Sequence, residues 1–143
     1  MTKEELIKLR EKVLRLKNAG EVENVLEYKT LYQRFKDVAL RKPNSSAIDY
    51  FGTKITYAEM LLLIDKAAVG FKEIGIGYND VVAMSMLSTP YAIVSLYALD
   101  KIGATMHMVN GASNINELQR ELKNIPSKYF ITSDIFNYIW KRC

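Results

Sequence analysis

VVAMSMLSTPYAIVSLYALDKIGATMHMVN, residues 81–110, carries no charge over the nineteen residues from Val81 to Leu99. Such a run is either a membrane-crossing helix or the buried middle of a folded domain. A span needs about 20 predominantly apolar residues in one helix. Here Ser88-Thr89-Pro90 cuts the run with a helix start: a hydroxyl to cap the first amides, then proline at the first helical position, where its missing N–H costs nothing. The run therefore divides into a strand, Val81 to Leu87, and a helix from Pro90 to about Ile102, closed by Gly103. Ala104 to Val109 follows as a second strand. Strand, crossover helix and strand make a βαβ unit, whose parallel strands are covered on both faces and so look continuously hydrophobic.

Downstream, Asn114 and Glu117 mark another helix start, with the helix running from Asn114 to Asn124. Tyr129 to Thr132 is a third strand, and Ser133-Asp134 begins a last helix. Strands alternating with helices from residue 81 onward predict an α/β fold with a parallel sheet, βαβαβα.

Upstream, Gly75 closes a helix and Gly77-Tyr78-Asn79-Asp80 is a turn. GIGYND begins like a dinucleotide-binding loop, but it follows a helix and precedes a strand, and Asp80 stands where the third glycine belongs. That helix starts at Thr56, with Glu59 completing a capping box, and passes through Leu62, Ala67 and Phe71. Before it, AIDYFGTKIT (47–56) reads as a hairpin of Ala47 to Phe51 and Lys54 to Thr56 around Gly52-Thr53, a two-residue turn with glycine first and hence type II′. Leu31, Phe35 and Val38 share a face of a helix that begins after Thr30 and ends at Lys42-Pro43. The first helix, residues 3–17, has Leu6, Leu9, Val13 and Leu16 on one side, and Glu4 with Lys8 and Glu11 with Arg15 as i, i+4 pairs. It packs on its own protein, lies on a membrane surface, or pairs with a second helix. Residues 1–28 are thus a basic amphipathic helix and linker, and 29–143 a partial α/β unit.

Composition bounds the chemistry. The 143 residues include one cysteine, Cys143, which excludes an internal disulfide framework and fits a cytoplasmic address. Residues 1–42 hold eleven Lys and Arg against seven Asp and Glu, the whole of the +4 net charge. The neutral remainder carries no zinc-finger, RNA-recognition or arginine-rich signature, so nucleic acid is not an expected partner. His107, the single histidine, has no nucleophile or carboxylate beside it in sequence and reads as a packed strand residue rather than a general base. Met84, Met86, Met106 and Met108 read as core filler, and the Cys143 thiol as a bystander.

Three ordered motifs add a resemblance. KITYAEM (54–60), FKEIGIGYNDVVAM (71–84) and ALDKIGATMHMVN (98–110) resemble the opening elements of the adenylate-forming superfamily, the acyl-CoA synthetases and their relatives. The matching residues are Thr56, Tyr57 and Glu59; Gly75, Asp80 and Val82; and Leu99, Lys101, Gly103, Ala104 and Asn110. Asn79 replaces a usual glycine, and Gly111 stands where proline often follows. The resemblance covers about residues 30–135 and implies the N-terminal portion of an ATP-dependent, AMP-forming carboxylate ligase, fatty acid-CoA ligase-like. ATP, magnesium and coenzyme A are implied for the full-length enzyme. Its phosphate loop and catalytic lysine have no counterpart in residues 1–143, so no catalytic, cofactor-binding or metal residue carries over. The remainder of the enzyme is the expected partner, with self-association expected of an incomplete domain. A free-standing α/β interaction module is the other reading.

Overall fold

The structure, a computed structural model, describes residues 30–110 and 113–133, together with Glu4, Lys8, Glu11 and Arg15, which are helical and exposed. The apolar positions of the first helix, the domain division at residue 28, the helix expected after Ser133, and Cys143 lie outside the described residues.

Helix α1, Leu31–Arg41, is capped by Thr30, whose side chain accepts from the Gln33 amide while Gln33 bonds back to the Thr30 N–H. Its buried face is Phe35 and Ala39, with Tyr32 beside them; Leu31 is exposed. The predicted Leu31/Phe35/Val38 face is thus turned by one position, because Tyr32 is pulled inward: its N–H donates to Asp100 and its hydroxyl to Asp65.

Strands β1, Ser46–Tyr50, and β2, Thr53–Thr56, form an antiparallel hairpin with Tyr50 opposite Thr53. The turn is therefore Phe51-Gly52, one residue earlier than expected. Both residues have positive φ, 51° and 84°, the signature of type I′ rather than II′. Sequence favoured glycine at the first turn position, whereas the strand register places it second.

Helix α2, Tyr57–Glu73, opens with the expected capping box, Thr56 with Glu59. It buries Met60, Ile64 and Ala68 and leaves Leu62 exposed. It ends in paired bonds from Ile76 N–H to the Phe71 carbonyl and Gly75 N–H to that of Lys72, with Gly75 at φ 91°.

Strand β3, Val81–Ser85, is two residues shorter than predicted. Helix α3, Pro90–Ile102, starts at the Thr89 cap and ends at Gly103, as the punctuation indicated. Strand β4, Thr105–Met108, helix α4, Ile115–Asn124, capped by Asn114, and strand β5, Tyr129–Thr132, complete the order. The three later strands form a parallel sheet ordered β4-β3-β5. One face, with Val82, Met106, Tyr129 and Ile131, packs under α1, α2 and α3. The other, with Ala83, Val109 and Phe130, packs under Leu118 and Leu122 of α4. The central strand is covered on both faces, which explains its unbroken apolar sequence. No helix among the described residues is long and apolar enough to cross a membrane. Met84, on the central strand, is core, whereas Met108, paired beside it on β4, an edge strand among the described residues, is exposed.

Candidate functional site

The second and third motifs meet at the N-terminal end of the sheet. Asp80 closes its turn by accepting the Gly77 amide at 2.8 Å, and its carbonyl accepts from Thr105 at 2.8 Å. Asn79 sits at φ 63° and donates its N–H to the Gly103 carbonyl at 2.9 Å. Asparagine tolerates that left-handed conformation better than other side-chain-bearing residues, which explains how it replaces the usual glycine. Gly103 has φ 76°, and a Cβ there would lie 2.5 Å from Cδ2 of Tyr78. The glycine is needed both for its backbone and for the ring lying against it.

The first motif fixes helices. Tyr57 stacks 5.4 Å from Phe35, which also meets Tyr97 at 4.9 Å. Hydrogen bonds from the Thr56 backbone and hydroxyl hold the Glu59 carboxyl below its ordinary value. Lys101 pairs with Asp65 at 2.6 Å and stands 4.7 Å from the Tyr32 ring centre. Burial lowers its pKa, but hydrogen bonds with Asp65 and Tyr32 outweigh that, leaving the ammonium above its usual value. Asp65 thus joins α1, α2 and α3, a role that sequence reasoning missed. Lys101 was visible as a motif residue, but its partner lies 36 positions away and on no shared period.

Open α/β sheets bind ligands at the carboxyl ends of their strands, the end opposite these motif turns. There Ser85 is fully buried, and neither its hydroxyl nor that of Ser133 finds a partner among the described residues. His107 pairs in register with Ala83, and its Nδ1 is buried without a described partner. It is a half-buried strand residue in register with Ala83, which packs under Leu118 of α4. The described residues do not fit a nucleotide-magnesium site. Asp100 is committed to the Tyr32 amide at 2.7 Å and Glu117 to the Asn114 amide at 3.2 Å. No group of three or more His, Cys, Asp or Glu side chains among the described residues is placed to hold a metal ion. The structure thus brings the second and third motifs together at one end of the sheet, while the first caps α2 and sets Tyr57 against Phe35 of α1.

Comparison with known proteins agrees with this geometry. The chain is 31% identical over 102 residues to acetyl-coenzyme A synthetase of Penicillium chrysogenum, covering 67% of this chain and 15% of that one. It is 28% identical over 110 residues to the long-chain-fatty-acid–CoA ligase of Bacillus subtilis, covering 77% of this chain and 20% of that one. Among solved structures, the N-terminal subdomain of NpsA from Klebsiella oxytoca superposes with a TM-score of 0.72 at 27% identity, over 76% of this chain and 28% of that one. A fatty acyl CoA synthetase of Mycobacterium tuberculosis shares the fold, with a TM-score of 0.76 at 22% identity, over 80% of this chain and 23% of that one. The chain thus spans no more than a fifth of these two curated relatives. Residues 35–141 match the family of AMP-binding enzymes, and with its motif turns and parallel sheet in place the chain belongs to that family.

Proposed function

We propose that this chain is the structural N-terminal portion of an ATP-dependent, AMP-forming carboxylate-CoA ligase acting on a fatty acid in the cytoplasm, and that alone it is inactive. The observation that carries this is the commitment of its motif residues to caps, turns and helix contacts. Adenylation requires preorganised donors and a cation around the transferring phosphate, since catalysis there is mostly positioning and charge stabilisation. ATP, magnesium and coenzyme A are cofactors of the whole enzyme, whose remainder is the partner of this segment. Both an acetyl- and a long-chain-acyl ligase are among its relatives, and the fatty acid is our choice for its substrate.

The 143-residue chain is expected to bind ATP no better than about millimolar, roughly −4 kcal/mol, and to exchange no pyrophosphate into ATP with fatty, aromatic or amino acids. Residues 30–133, placed in the Bacillus subtilis ligase instead of its matching segment, should support acyl-adenylate formation. Exchange by the isolated chain overturns the inactivity, and a folded but inert chimera overturns the structural role.

A further inference from the structure

A cavity of about 580 Å³ lies between the hairpin and helices α2 and α3. Ile55, Leu63, Ala67 and Val94 form its walls, and the rings of Tyr50 and Tyr91, partly to largely exposed, stand at its rim. The volume is within the range of small-molecule sites, ~300–1,000 Å³.

The lining selects among occupants. Among the described residues no charged side chain lines the cavity, so an ion would lose its hydration without compensation from them. A peptide strand would bring an N–H and a C=O at each residue. Against these the side chains offer hydroxyls of Thr53, Tyr50 and Tyr91, that of Thr89 being engaged with the Ala92 amide. Water fills such a space poorly, because each buried molecule needs about two to four polar partners. A hydrocarbon chain needs no partners and gains from every apolar surface it covers.

We propose that this cavity binds one unbranched aliphatic amphiphile of medium length, an alcohol or an acid, with its alkyl chain between Ile55, Leu63, Ala67 and Val94. Its head group stays in water beside Tyr50 and Tyr91. The site is independent of the ligase reading, since no reaction occurs in it and binding alone reports on it.

The test is a titration of the methyl-labelled 143-residue chain with 1-octanol and with octanoate, followed by NMR. The expected result is a saturable one-to-one shift of the Ile55, Leu63, Ala67 and Val94 methyls. The two probes should agree within about threefold, because the lining is uncharged. Ala67→Phe fills the space and Leu63→Gln makes a wall polar, and each should weaken binding roughly tenfold or more. Leu63 is 41% exposed, so its variant keeps the fold even where the phenylalanine does not, and a thermal melt verifies each. The proposal is overturned by unshifted methyls, by affinity unchanged in a folded variant, or by binding of octanoate alone. A dimer that octanol disperses also overturns it, assigning the groove to a second copy of the chain.

Discussion

At Gly103 two independent constraints coincide, a backbone at φ 76° and the Tyr78 ring where a side chain would stand. Gly103→Val should lose roughly 2–4 kcal/mol in urea denaturation, or fail to fold. The constraints separate in a double-mutant cycle: Tyr78→Ala should restore part of the loss in Gly103→Ala, leaving the backbone share. Additive losses would show that the ring contact contributes nothing. Glu59 makes a pH prediction. Its folded pKa lies below the ordinary 4.5, so the capping box stabilises the fold above that value. The contribution is lost as pH falls through the lower, folded value. Melting temperatures of the parent and of Glu59→Gln, measured from pH 7 to 3, should converge at the acid end. A constant gap would remove the carboxylate from the account. His107 shows where residue-level reading stopped short. Its strand position followed from the pattern, but that its Nδ1 is buried without a partner among the described residues depends on atoms brought near by distant parts of the chain.

The elements themselves were legible wherever a chemical signal marked their ends. Thr56 with Glu59, Thr89-Pro90, Gly75, Gly103 and Asn114 all terminate helices where the sequence placed them. Those signals act over four or five residues and need no tertiary context. The hairpin turn slipped because its register is set by cross-strand pairing between Tyr50 and Thr53, which a local glycine rule does not contain. This leaves Phe51 at φ 51° and 93% exposed, a bulky residue in left-handed backbone beside a glycine. Phe51→Asn supplies the favoured Asn-Gly pair for type I′ and should stabilise the chain by ~1 kcal/mol in chemical denaturation. A loss of stability would mean that the Phe51 ring, 4.7 Å from Tyr50, contributes more through packing than it costs in strain. The buried face of α1 kept Phe35 but turned by one position for a related reason, since Asp65 and Asp100 lie far along the chain from Tyr32.

For the molecule as a whole, the sheet order leaves β4 and β5 as edges among the described residues. Unpaired strand edges favour association with another chain. Sedimentation velocity of the 143-residue chain should show dimers or larger species rising with concentration, and a monomer throughout would mean that the edges are covered. Fold class was legible at this scale because alternating strands and helices constrain topology strongly, and the family because three ordered motifs, at 54–60, 71–84 and 98–110, stand in sequence. The cavity beside the hairpin was not, since it is bounded by segments about 40 residues apart. The strand order also governs synthesis. β3 is the first of the three parallel strands to be made but occupies the centre, so it has no neighbour until Thr105 and the residues after it emerge. Between those moments the nascent chain displays nineteen uncharged residues, Val81 to Leu99, with no sheet to receive them. A nascent chain that pauses with β3 and α3 outside the ribosome and β4 still within it therefore presents a hydrophobic segment of the kind holding chaperones recognise, and the partner it lacks is the strand from Thr105 to Met108.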